Sequence, residues 1–140
     1  MITVLYVENE ENDVLFMRRA FNRVGLEGCL RPVSDARSAM RYLVGEVPYS
    51  DRTAHPFPVL LLMDLNLPAL SGFELLHWLR EQPQLQQLPV VIFSSSARPE
   101  DIERAQTLGA HDYLQKPRSG SEFVEVAQRL RDKWLVSSGV

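Results

Sequence analysis

Four stretches of the sequence carry groups able to do polar chemistry, and each follows a short apolar run: Glu8-Asn9-Glu10-Glu11, Asp64-Leu65-Asn66-Leu67-Pro68, Ser94-Ser95-Ser96 and Lys116-Pro117. Asp64 is the sharpest of them. It comes after Leu60-Leu61-Leu62-Met63, so its carboxylate stands at the lip of a wholly apolar run. An aspartate there is either a turn residue, which is common at strand ends, or a functional acid. A second carboxylate from the first stretch beside it would create like-charge repulsion, which a divalent cation between the two relieves. Hard oxygen donors of this kind suit magnesium, which keeps several waters and takes one or two carboxylates plus a phosphoryl oxygen. Lys116 is one of only two lysines among the 15 basic residues, the other being Lys133. A compact ammonium suits a phosphoryl group or a carboxylate at a tight site where the wider guanidinium does not fit; the alternative is chance. Pro117 stiffens the next turn, and the Lys116–Pro117 bond could be cis. Ser94 offers a hydroxyl, although serines are routine in loops. Asp112 reads as a solvated turn residue.

These groups meet only if the chain brings their stretches to one edge. Five short apolar runs, Ile2–Val7, Cys29–Val33, Val59–Met63, Val90–Phe93 and Tyr113–Leu114 with its flanks, alternate with helical patterns. Val14, Met17, Phe21 and Val24 repeat at helical spacing before Gly25; Ala36–Leu43 ends near Gly45; Ser71 can cap a third helix carrying Phe73, Leu76 and Leu79. Pro99-Glu100-Asp101 opens a fourth, with proline and acids where a helix N-terminus favours them, and Gly109 stops it. Phe123, Val126, Leu130 and Trp134 mark a fifth. This alternation predicts an α/β fold: a five-stranded parallel sheet with helices on both faces. In such sheets ligands bind outside the carboxyl ends of the strands, which is where all four polar stretches fall. The connection from Gly45 to Pro58 is long for its place; a solvated insertion is the plainer reading and a partner-contacting loop the sharper one.

Composition removes other classes. At 140 residues one domain is expected, given roughly 150 residues per domain, with no effector domain beside it. The net charge is −3 and both signs are spread along the chain, so no basic stripe invites nucleic acid. Cys29 is the single cysteine, which excludes an internal disulfide and fits a reducing compartment. His55, His77 and His111 stand far apart, so zinc spacing is lacking, and no histidine neighbours Ser94 to suggest a hydrolase triad. No glycine-rich nucleotide motif occurs. The longest apolar run, Val59 to Met63, has five residues, so neither a membrane span nor a signal peptide is expected, and a cytoplasmic location follows.

The set Asp64-Leu65-Asn66-Leu67-Pro68 with Ser71-Gly72, then Pro89-Val90-Val91-Ile92-Phe93-Ser94, then Tyr113-Leu114-Gln115-Lys116-Pro117, resembles the receiver domain of two-component response regulators. The long loop before the third strand, the Asp-Leu-Asn-Leu-Pro motif and the Lys133-Trp134-Leu135 ending resemble the single-domain regulators that partner phytochromes. The resemblance covers essentially the whole chain. It implies a flavodoxin-like (βα)5 fold with strand order 2-1-3-4-5. It also implies that Asp64 accepts a phosphoryl group from a sensor histidine kinase, with a phytochrome as the expected kinase. Lys116 would neutralise a phosphoryl oxygen, Ser94 would turn to hydrogen-bond the phosphoryl group, and Tyr113 would follow inward as the switch. Mg2+ would be held by Glu8, Asn9, Asp64 and the backbone carbonyl of Asn66. Output would run through protein contacts, with a homodimer on the face of the fourth helix, fifth strand and fifth helix, where Val124, Leu135, Val136 and Tyr113 would form a patch.

One position departs from the family pattern. Asn9 stands where the family usually has a second acid that ligates the metal, so a two-acid pocket is expected in place of a three-acid one. Metal affinity follows ligand charge, which predicts weaker magnesium binding. Two readings remain open: a working phospho-acceptor, or a receiver fold kept as a non-catalytic binding module with phosphorylation impaired by Asn9.

Overall fold

The computed structural model describes residues 2–135. Five strands, β1 (Val4–Val7), β2 (Leu30–Val33), β3 (Leu60–Met63), β4 (Val90–Ser94) and β5 (Asp112–Gln115), form one sheet in the order β2-β1-β3-β4-β5. All neighbours are parallel, with Val7 opposite both Val33 and Met63. The expected fold and strand order are therefore found. Every residue of β1, β3 and β4 is buried, because helices cover both faces. Alternation divides their side chains: Leu5, Val7, Leu61, Met63, Val90 and Ile92 enter one core, and Val4, Tyr6, Leu60, Leu62, Val91 and Phe93 the other.

The helices α1 (Glu11–Arg23) and α5 (Phe123–Leu130) cover the Tyr6 side; α2 (Ala36–Val44), α3 (Gly72–Arg80) and α4 (Pro99–Thr107) cover the other. Their termini follow ordinary chemistry. Asp35 caps α2, Gly45 in the left-handed region (φ 76°) ends it, and Ser71 with Glu74 forms a capping box at α3. No helix among the described residues is long and apolar enough to cross a membrane.

The 45–58 loop is mostly exposed, as a solvated insertion would be, and is tied back to α2, where Arg52 donates to the carbonyls of Leu43 and His55 and the Tyr42 hydroxyl donates to Pro56 O at 2.8 Å. Three expectations need correction. Among the described residues the cis X-Pro bond is Val47–Pro48, not Lys116–Pro117. Asp112 is not a free turn residue: it begins β5, is half-buried and takes Lys133 Nζ at 3.1 Å. After α5 the chain makes a π-helical turn, Arg131–Leu135, which buries Leu135 to 7% exposure in the Tyr6-side core. Leu135 therefore drops out of the expected surface patch, and Val136 lies outside the described residues.

Candidate functional site

The carboxyl ends of β1, β3, β4 and β5 meet at one edge of the sheet. Asp64 directly follows β3, Glu8 follows β1, Ser94 closes β4 and Lys116 follows β5. The fold draws Lys116 Nζ into the middle of this group. It lies 2.8 Å from Glu8 Oε1, 2.9 Å from Asp64 Oδ2 and 2.7 Å from Asp13 Oδ2. An ammonium has three N–H donors, and each has a carboxylate. Burial works against the charged lysine, but the bonds to Asp13, Glu8 and Asp64 outweigh it and hold its pKa above the ordinary value.

Asp13 was not foreseen. The first turn of α1 brings its carboxylate to Lys116, beside those of Glu8 and Asp64. Three carboxylates face one ammonium, so the cluster keeps a formal surplus of two negative charges. Glu8 and Asp64 are buried, with 2% and 4% exposure. Burial pushes the Glu8 carboxyl above its ordinary range, Lys116 opposes this, and Asp64 adds to it.

The other expected residues take distinct positions. The Asn66 backbone N–H donates to Asp64 Oδ1 at 3.2 Å, which fixes the acid's orientation, while the Asn66 side chain is exposed. Asn9 is exposed and shares with Glu8, Ser34 and Ser38 the wall of a cavity of about 480 Å3. Ser94 is buried and its Oγ accepts from the Ser96 N–H at 3.3 Å. The Tyr113 hydroxyl donates to Ser96 O at 2.9 Å. Ser96 thus links the Ser94 hydroxyl to the Tyr113 ring through its own peptide groups, and its Oγ donates to Asp101 at 2.6 Å.

A hard divalent cation suits this donor set. The site offers carboxylate oxygens in surplus over its one cation, and no soft ligand. Among the described residues no three acidic, histidine or cysteine side chains converge in ligating geometry, since the three carboxylates are turned to Lys116. An ion here would rely on few protein ligands and much water, which is how magnesium is ordinarily held.

The chain is similar in sequence and in fold to several known proteins. Rcp1 from Synechocystis is 28% identical over 132 residues, covering 94% of this chain and 88% of its own; its Mn2+-bound crystal form superposes with a TM-score of 0.85 at 27% identity, covering 98% and 96%. The phosphorylated cyanobacterial phytochrome response regulator RcpA gives a TM-score of 0.87 at 28% identity, covering 99% and 96%. Response regulator RPA3017, from red light signalling in R. palustris, gives 0.90 at 32% identity, covering 98% and 97%. The profile of the response regulator receiver domain matches residues 4–128. With the strand order and these relatives, that match places the chain in the response regulator receiver family, beside the single-domain phytochrome response regulators.

Proposed function

We propose that this receiver accepts a phosphoryl group on Asp64 from the phosphohistidine of a sensor histidine kinase of the phytochrome type. The observation that carries the reading is the single ammonium of Lys116, held within 3 Å of Asp64 in a pocket of surplus negative charge. One Asp64 carboxylate oxygen attacks phosphorus, the P–N bond breaks with its electron pair going to the imidazole, and an acyl phosphate results. Little covalent work falls to the protein; positioning and charge neutralisation dominate. Asn66 N–H fixes the nucleophile, and Lys116 is already placed to follow a phosphoryl oxygen. Bound Mg2+ would neutralise phosphoryl charge, held by Asp64, Glu8 and the Asn66 carbonyl, with Asn9 reaching it only after turning inward. When the Ser94 hydroxyl turns to the phosphoryl group, the Ser96 N–H loses its acceptor. The Ser96 peptide shifts and Tyr113, bonded to its carbonyl, moves with it. That changes the α4–β5–α5 face, through which the protein would bind partners and a second copy of itself. Hydrolysis of the acyl phosphate by water resets the switch.

The similarity to RcpA and RPA3017 supports the kinase class. The test is incubation with acetyl phosphate over a Mg2+ series, read on a phosphate-retarding gel. The wild type should shift, Asp64→Asn should not, and Asn9→Asp should reach half-shift at lower Mg2+. Coincident curves for the wild type and Asn9→Asp would show that Asn9 does not limit the metal. No shift in either would favour a non-catalytic binding module.

A further inference from the structure

The acidic cluster has one contact that the phospho-acceptor reading does not use. Tyr6 is fully buried in β1 beneath the site. Residues 6 and 8 project to the same side of the strand, and the Tyr6 hydroxyl donates to Glu8 Oε1 at 3.2 Å. A tyrosine phenol, with an ordinary pKa of about 10, is protonated at neutral pH. It is therefore a permanent donor, and a buried tyrosine hydroxyl needs an acceptor.

The Glu8 carboxylate is then nearly saturated. Oε1 also accepts from Lys116 Nζ at 2.8 Å, and Oε2 accepts from the Glu10 backbone N–H at 3.1 Å. A carboxylate has about four lone-pair sites; three are engaged, and the one remaining is on Oε2. Chelation of a cation by both Glu8 oxygens would require a protein donor to be given up. We propose that Tyr6 is a positioning residue that commits Glu8 to Lys116 and so limits the affinity of the site for a divalent cation. This deepens the phospho-acceptor reading and rests on it. A divalent cation bound here would be held exchangeably, by the oxygens that Tyr6 and Lys116 leave free.

The test is Mn2+ binding to the full chain, followed by the electron paramagnetic resonance of free Mn2+, without phosphodonor. Tyr6→Phe removes only the hydroxyl and should bind Mn2+ about three- to tenfold more tightly, the size expected for freeing one hydrogen-bonded acceptor. In a Glu8→Gln background the same change should have no effect, as a double-mutant cycle through Glu8 requires. Equal affinity of the wild type and Tyr6→Phe, or a gain that survives Glu8→Gln, overturns the assignment. The wild type supplies a reading that does not depend on a variant folding. Its Tyr6 hydroxyl proton should stay detectable by NMR at saturating Mg2+, and its disappearance would mean that Glu8 leaves Tyr6 for the metal. The absence of Mn2+ binding in every protein would instead overturn the metal-assisted reading of the site, and the Tyr6 assignment with it.

Discussion

Lys116 is surrounded by more negative charge than it can neutralise, and this makes it a structural residue as well as a chemical one. Its side chain is 9% exposed, that of Glu8 0% and that of Asp64 5%. Removing one partner of such a buried pair costs about 3–5 kcal/mol, so Lys116→Met should lower unfolding stability by about 3 kcal/mol at neutral pH. The pH dependence has a defined sign. The folded pKa of Lys116 is raised, so its contribution is complete below the ordinary lysine pKa and is lost only as pH rises through the raised folded value. In Lys116→Met the unneutralised acids govern instead. The carboxyl of Glu8 already lies above its ordinary range through burial, so the loss should shrink as the pH is lowered from neutral and that carboxyl takes up its proton. Added Mg2+ should stabilise the variant more than the wild type, because it replaces the missing positive charge. Chemical denaturation at two pH values, with and without Mg2+, checks this; a loss independent of both would mean the acids do not repel as described. Asp64, Lys116 and Glu8 were legible in the sequence because each directly follows a strand-like run. Asp13 was not, because an acid in a helix's first turn reads as a partner of the helix dipole. Tyr6 was hidden among apolar neighbours in a strand whose every residue is buried.

The loop that carries Asp64 is held by the start of α3, and one glycine makes the approach possible. Gly72 N–H donates to Leu65 O at 2.9 Å. A Cβ at Gly72 would lie 2.5 Å from the Asp64 carbonyl oxygen and 2.7 Å from the Leu65 Cα, both backbone atoms. Neither can move aside as a side-chain tip could, so Gly72→Ala must push the helix and the Asp64 loop apart. Overpacking of this kind costs about 1–3 kcal/mol. The variant should lose about 2 kcal/mol in urea unfolding and phosphorylate more slowly at saturating Mg2+; wild-type values for both would show that the contact is slack. The cap at Ser71 was readable from its place before the apolar spacing of α3, as were β1, β3 and β4, whose apolar runs match strands covered on both faces. β5 and the 45–58 loop were less readable. β5 is an edge strand that is only half-buried, so its composition is mixed and Asp112 looked like turn. The loop is ordered by Arg52 through carbonyls of its own turn and of α2, bonds that leave no pattern in residue types.

For the molecule as a whole, signalling requires that the Asp64 edge alter a surface another protein can read. Within the described residues the α4–β5–α5 face retains Tyr113 and Val124 as half-buried apolar side chains, while Leu135 has turned into the core. Around them Asp112 is engaged by Lys133 at 3.1 Å and, more distantly, by Arg129 at 3.9 Å, contacts within one chain that a partner would have to displace or accommodate. A face whose apolar side chains are half-buried and flanked by ion pairs favours weak, reversible association over an obligate dimer, since obligate interfaces are larger and more hydrophobic. Sedimentation velocity should therefore show self-association only at about tens of micromolar, the range of transient contacts. Beryllium fluoride, standing in for the phosphoryl group on Asp64, should shift that equilibrium if Ser94, Ser96 and Tyr113 transmit its presence. Tyr113→Ala should abolish the shift while leaving acetyl phosphate labelling of Asp64 intact, because Tyr113 contacts the Ser96 carbonyl and not the acidic cluster. Monomer alone at that concentration, with and without beryllium fluoride, would remove the homodimer from the mechanism and leave the face to a different partner.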